Sequence, residues 1–334
     1  MKSLKWMIVG LLGVFAASTL LTGCGNSSVQ APAANKEIML KAADIQPDDY
    51  PTVMGLKKMA QLLDERTQGR IKMQVYSGGQ LGAEKETIEM TQMGTVAISR
   101  VSTSPLASFS SQMGALSMPF LFRDATHFWK VLDGDIGKGM LKELEKSNLI
   151  GLTYYDSGAR SFYTKNKSIN SPGDANGQKI RVQQSKIFVD TVNALGASAT
   201  AMNYGEVYSG LQTGLIDGAE NNPPSLWSAK HYEVCKNLAL DEHAMVPETV
   251  IMSKKIWDTL SPDDQKIVMQ AAIDSGVYQR QVWADYTAKS LNDLKAQGVI
   301  ITTPDKAAFR KAVEPMYDKY PEYKDIIAKI QAVQ

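Results

Sequence analysis

Cysteine and histidine are nearly missing from this chain of 334 residues, which has two cysteines, Cys24 and Cys235, and three histidines, His127, His231 and His243. The histidines lie far apart and no His-Glu-x-x-His run occurs, so a zinc site of the usual spacing is excluded. His231 and Cys235 fall at i, i+4, but two ligands without nearby third and fourth partners read as a surface imidazole and a buried thiol. One cysteine beyond Cys24 leaves no disulfide to form, and the core alone must hold the fold. There is no Gly-x-Ser-x-Gly elbow. Gly134-Asp135-Ile136-Gly137-Lys138-Gly139 lacks the spacing and the Ser/Thr of a phosphate-binding loop, and no dinucleotide fingerprint follows a strand. Neither sign of charge dominates: 36 Lys and Arg face 35 Asp and Glu, for a net +1. The basic residues are scattered among acids, which argues against a nucleic-acid partner.

What is present begins at the N-terminus. Lys2 and Lys5 precede an apolar run from Trp6 to Leu21, and Leu21-Thr22-Gly23-Cys24 follows. A charged start, a short apolar core and small residues before a cysteine describe an export signal ending in a lipobox, cleaved after residue 23. Acyl chains on Cys24 would each bury methylenes in a bilayer at about 0.8 kcal/mol per CH2, anchoring the mature chain outside the cytoplasm, in the periplasm or on the outer face of the cell membrane. Residues 24–36 read as a tether, since Asn, Ser, Pro, Ala and Gln bury too little apolar surface to fold. Losing Lys2 and Lys5 and no acid turns the net charge from +1 to −1.

About 300 residues then remain, 44% hydrophobic over the whole chain, more than a single core usually holds, so two lobes are expected. Strand-like and amphipathic helical stretches alternate, the pattern of an α/β fold. Ile38–Ala43, a helix over 50–66 and Ile71–Tyr76 make a βαβ opening, and a second helix over 83–93 stops at Gly94. Later strands fall at 96–101, 149–155 and 178–182. Ser261-Pro262-Asp263-Asp264 has the cap, proline and acids of a helix start, and the apolar period runs on to Gly298. Over thirty helical residues would reach about 50 Å at 1.5 Å each, enough to cross both lobes, unless the run breaks at Gly276. Trp129, Trp227, Trp257 and Trp283 fall in helical patterns and read as packing residues. Tyr50 and Tyr204 sit beside loops and could line a cleft.

Arg100, Arg160, Arg181 and the pair Asn221-Asn222 each end or follow an expected strand. Ligands bind outside the carboxyl ends of α/β strands, and arginine's planar fork grips a carboxylate. The plainer reading pairs each arginine with a structural acid such as Asp156 or Glu206.

Five stretches make the chain similar to the DctP family, the solute-binding proteins of TRAP transporters, over nearly the whole mature length. They are Gly79-Gln80-Leu81-Gly82-Ala83-Glu84-Lys85-Glu86, Met118-Pro119-Phe120-Leu121-Phe122-Arg123, Lys179-Ile180-Arg181-Val182-Gln183, the run from Gly205 to Gly214, and Ile216-Asp217-Gly218-Ala219-Glu220-Asn221-Asn222. The resemblance implies a two-lobe periplasmic-binding-protein-like α/β fold, a long helix spanning both lobes, a central ligand cleft, and delivery to a permease of small and large membrane subunits. The lobes expected are 37–158 with 247–286, and 159–246 with 287–334. It implies that Arg181 holds the ligand carboxylate, that Arg160 is a second ligand-facing side chain and that Asn221 contacts the ligand. Arg100, with Ala43-Asp44-Ile45-Gln46 and Asn221-Asn222, makes the chain look like the branch that binds hexuronates and related sugar acids. On that reading Gln46, Glu84, Gln183 and Asn222 satisfy sugar hydroxyls, with Glu86 the competitor of Glu84. No cofactor, metal or catalytic residue is expected. Left beside this reading are a dicarboxylate-binding relative, a sensory solute receptor and a secreted sugar-acid lyase.

Overall fold

The structure, a computed structural model, describes residues 37–334. The segments read from the sequence as signal peptide and tether, with Cys24, lie outside them. Eleven strands build two sheets. The first contains β1 (Ile38–Ala43), β2 (Ile71–Tyr76), β3 (Ile98–Ser102), β4 (Leu149–Tyr155) and β10 (Glu248–Ser253), in the order β2-β1-β3-β10-β4. The second contains β5 (Ala159–Thr164), β6 (Lys179–Val182), β7 (Ser198–Ala201), β8 (Gly218–Asn221), β9 (Asn237–Met245) and β11 (Ile300–Thr302), in the order β11-β9-β5-β8-β6-β7. In the first sheet β1 runs parallel to β2 and β3, while β10 enters antiparallel between β3 and β4. A strand from late in the sequence thereby closes the first sheet.

The chain passes between the sheets at two short segments, residues 156–158 after β4 and residues 246–247 before β10. They are fastened side by side, Ser157 Oγ donating to the Val246 carbonyl. A third connection is the helix Pro262–Ala296, whose 35 residues bear out the long helix expected from the sequence. Its start is built as the sequence indicates: Ser261 Oγ accepts from the Asp264 amide, and Pro262 occupies the first turn, where no amide hydrogen is needed. Gly276 does not break it. An added Cβ there would lie 3.1 Å from Thr153 Oγ1 and 3.3 Å from the Tyr154 carbonyl, so this glycine lets the helix lie close on β4. The helix gives Val268, Ala271 and Ala272 to the core beneath the first sheet and Leu294 to the core beneath the second. Asp156 and the buried Gln279 exchange hydrogen bonds of 2.7 and 2.9 Å, locking the helix to the first crossing segment.

A third apolar cluster belongs to neither sheet alone. It joins Val101, Leu116, Phe128 and Leu149 to Phe162, Ile180, Phe188 and Phe309. The C-terminal helix Lys324–Ala332 closes it, with His127 Nε2 2.9 Å from the Ile330 carbonyl and Arg123 Nη1 donating to the Gln331 carbonyl at 3.1 Å. Of the four tryptophans assigned to packing, Trp283 is fully buried, and Trp129, Trp227 and Trp257 are half-buried. Cys235 is buried as expected, but His231 is not the surface imidazole the sequence suggests. It is buried beside Tyr163, whose hydroxyl lies 2.8 Å from Nδ1, and burial lowers its pKa to about 3. Its apolar setting comes from residues distant in sequence, which the i, i+4 spacing does not reveal.

Candidate ligand cleft between the sheets

Gln46, Glu84, Arg100, Arg160, Arg181, Gln183, Asn221 and Asn222 all line one cavity, together with Ile45, Tyr50, Tyr204, Ser225 and Glu248. All eight candidates expected from the sequence therefore converge, and Tyr50 and Tyr204 join them. The space amid these side chains is small, about 20 Å³, and it adjoins a larger hollow of about 240 Å³ that shares Ile45, Glu84, Arg181, Gln183 and Tyr204.

Each arginine is presented by a strand. Arg100 lies at the middle of β3, opposite Val250 of β10, rather than at the strand end. Its Nε donates to Asp44 Oδ2 at 2.9 Å and Nη1 to Glu248 Oε2 at 2.8 Å; Nη2 also binds Asp44, and Glu84 Oε1 lies 3.5 Å from Nη1. Burial opposes its charge, but Asp44, Glu248 and Glu84 outweigh that and raise its pKa further. Arg160 opens β5. Its Nε donates to Glu220 Oε2 at 2.6 Å, Nη2 to Glu220 Oε1 at 2.9 Å and Nη1 to Asn221 Oδ1 at 2.8 Å. Arg160 and Arg100 thus have structural acids, though not Asp156 or Glu206: Glu220 and Glu248 come from other strands, Asp44 from just after β1 and Glu84 from the helix Glu84–Met93, which sequence proximity does not disclose.

Arg181 on β6 is different. Nε and Nη2 both donate to the Met202 carbonyl, at 3.0 and 2.7 Å, the guanidinium lies 5.8 Å from the centre of the Tyr204 ring, and no carboxylate bonds it among the described residues. It is only 3% exposed, and burial lowers its pKa. A buried charge without a counter-ion is costly, and one carboxylate would relieve it.

The neutral lining is partly committed. Asn222 caps the helix Pro223–Ser228, its Oδ1 accepting from the Ser225 amide at 2.8 Å and its Nδ2 donating to the Ser157 carbonyl at 3.0 Å. Tyr50 Oη reaches across to Asn222 Oδ1 at 3.2 Å and Ser225 Oγ at 2.9 Å, and Ser102 Oγ reaches Gln183 Oε1 at 3.4 Å. Buried Gln46 Oε1 has no hydrogen-bond partner among the described residues. Glu84 accepts from the Ser102 amide at 2.9 Å, whereas Glu86 turns back to accept from the Ala83 amide, so of the two carboxylates only Glu84 enters the cleft. Sequence reasoning missed Glu248 and Ser225. Glu248 opens a strand that pairs with β3 from about 150 residues away, and no local spacing announces that.

Beneath the cleft, His243 is held between Asp241 Oδ2 at 2.8 Å and Glu220 Oε2 at 3.4 Å. Burial would lower its pKa, but the two acids overcome this and raise it to about 9. Among the described residues no group of three or more His, Cys, Asp and Glu is placed to hold a metal.

Two α/β halves around a cleft that holds an unpaired buried cation have the build of a solute-binding protein. The family description "Bacterial extracellular solute-binding protein, family 7", DctP, matches residues 42–323, and the chain belongs to that family. A TRAP periplasmic solute-binding protein of Xanthobacter autotrophicus, solved with bound β-D-galacturonate, is 44% identical, with a TM-score of 0.86 over 88% of this chain and 100% of that one. One from Pseudomonas putida, solved with bound D-glucuronate, is 40% identical, with a TM-score of 0.87 over 89% and 98%. A solute-binding protein of Chromohalobacter salexigens is 35% identical over 87% of this chain and 88% of that protein. No helix among the described residues is long and apolar enough to cross a membrane.

The different partners of the arginines predict different costs of removal in urea unfolding of the ligand-free protein. Arg160→Met leaves Glu220 to His243 alone and should cost about 3–5 kcal/mol. Arg181→Met removes a charge without a counter-ion and strands only a carbonyl, costing about 1–3 kcal/mol at most; an inverted order would show that Arg181 is the one with a structural acid. His243 gives a pH signature. Its pKa is raised from 6.5 to about 9, so the stabilisation is full below pH 6.5 and lost as pH rises through about 9. The urea midpoint should fall across pH 7 to 9 in the wild type, and this limb should flatten in His243→Gln.

Proposed function

We propose that this chain captures an acidic sugar, a hexuronate such as glucuronate or galacturonate or a related sugar acid, by closing two lobes around it, and delivers it to the small and large membrane subunits of a TRAP permease. The observation that carries this reading is Arg181, a guanidinium buried in a cleft beside hydrogen-bonding side chains and without an acid of its own. The solute's carboxylate supplies the missing counter-ion, in a two-point bridge to the guanidinium. Arg160, Asn221, Arg100, Gln46, Glu84, Gln183 and Asn222 form the wall around the sugar, and the unsatisfied Gln46 Oε1 is suited to accept from a hydroxyl. The relatives solved with galacturonate and glucuronate support the choice of solute class.

The lobes are 37–158 with 247–286, and 159–246 with 287–334, in keeping with the division of the strands between the two sheets. The solute, bonding to both, favours the closed arrangement by its greater affinity for it. The role is binding without catalysis, a reading that membership of a solute-binding family supports. The mature chain is held outside the cytoplasm through lipid on Cys24. The expressed chain should incorporate labelled palmitate and Cys24→Ala should not; equal labelling of the two, or none of the wild type, would refute the anchor.

The function is tested by thermal denaturation of the chain from Gly25 onward with glucuronate, galacturonate, aldonates, C4-dicarboxylates and sialic acid. Binding at 100 times Kd adds about 2.7 kcal/mol, which raises the melting temperature measurably. A rise with a hexuronate that Arg181→Ala abolishes is expected. A rise confined to C4-dicarboxylates would replace the sugar acid by that class, and turnover of the bound compound would make the protein an enzyme.

A further inference from the structure

The cleft differs in electrical character from one side to the other. Arg181, from the second sheet, is a cation in want of an anion. On the first-sheet side Arg100 is met by three carboxylates, Asp44, Glu84 and Glu248, and one guanidinium cannot neutralise all three. Asp44 is saturated, since it also accepts from Thr52 Oγ1 and the Gln46 amide, each at 2.8 Å. Glu84 is held by the Ser102 amide. Glu248 bonds Arg100 through Oε2, and no hydrogen bond to Oε1 is made among the described residues. The other groups near it bring little relief: Tyr50 already bonds Asn222 and Ser225, and Arg160, which senses the charge of Glu248, is spent on Glu220. Buried Gln46, its Oε1 without a partner, lines the same cavity.

We propose that Glu248, backed by Glu84, sets the specificity of the cleft: it accepts hydrogen bonds from hydroxyls of the solute remote from the carboxylate on Arg181, and it rejects a second carboxylate there. This deepens, and rests on, the acidic-sugar reading above. A hydroxyl gains a charged acceptor at this position, whereas a carboxylate meets like charge with no free cation to answer it. A solute with one acid group and several hydroxyls fits both sides of the cleft. A diacid of the same length fits one.

The resistance of this region to further negative charge is already visible in Glu248 itself. Burial and the neighbouring Glu84 and Asp44, set against Arg100, raise its pKa to about 7. Below that pH the group takes up a proton, and the rejection of a second carboxylate eases.

Isothermal titration of the purified protein with D-galacturonate and D-galactarate, which share a six-carbon skeleton but carry one and two carboxylates, tests the proposal. Wild type at about pH 8 should prefer galacturonate by at least about tenfold, and Glu248→Gln should narrow that preference by about tenfold through tighter galactarate binding. Glu84→Gln should act in the same direction. At about pH 6 the wild-type preference should shrink while that of Glu248→Gln stays constant. Should Glu248→Gln fail to fold, the Glu84→Gln ratio and the wild-type pH series decide the matter. Equal wild-type affinity for the two acids, or a preference unmoved by both substitutions and by pH, overturns the role of Glu248 and leaves the sugar-acid reading standing. Binding of neither acid, nor of D-glucuronate or an aldonate, overturns both.

Discussion

Three guanidinium groups are kept out of water inside one cleft, and the fold provides acids for two of them. Arg160 is wrapped by Glu220 and Asn221, and Arg100 by Asp44, Glu84 and Glu248. Arg181 receives a carbonyl and an aromatic face but no carboxylate. A lone buried cation is tolerable only if the rest of the domain is stable enough to carry its cost, and the three apolar clusters are the source of that stability. Arg181 thus has a demand for an anion that no carboxylate among the described residues meets by a direct bond.

The placement of these groups is a matter of strand order. Insertion of β10 between β3 and β4 carries Glu248 to Arg100, and the pairing of β5 with β8 carries Glu220 and Asn221 to Arg160. The pairing of β5 with β9 brings His243 within reach of Glu220, so the acid that orients Arg160 is itself supported from the opposite side. Support of this kind fixes the rotamers of the cleft-facing side chains before a solute arrives.

Local pattern made much of this legible. The period-two and period-3.6 runs located β1, β2, β4 and the helix Pro51–Arg66, and the Ser-Pro-Asp-Asp start with unbroken apolar spacing located the helix Pro262–Ala296. Arg181 and Asn221 are legible because they sit in stretches that resemble a family, and Arg160 because it follows an expected strand. The partners of the arginines are not: Asp156 and Glu206 are near in sequence, but Glu220, Glu248 and Asp44 are near in space. His231 was read as exposed for the same reason, its apolar surroundings being assembled from Tyr163 and Tyr204 on other elements. A break at Gly276 stays open as the lesser alternative in the sequence because that glycine's purpose, closeness to β4, belongs to another part of the chain.

Among the described residues, every ion pair lining the cleft stays on one side of it. Arg100 and its three acids belong to the side of the first sheet, and Arg160, Glu220, His243 and Asp241 belong to that of the second. The side-chain hydrogen bonds that cross the cleft, from Tyr50 to Asn222 and Ser225 and from Ser102 to Gln183, are neutral. Water can replace bonds of that kind at a net cost of about 1 kcal/mol each, while separation of a buried ion pair would cost several. The two halves can therefore part as intact electrostatic units. Added salt, which screens exposed charges far more than buried ones, has little to act on in the contacts that join them.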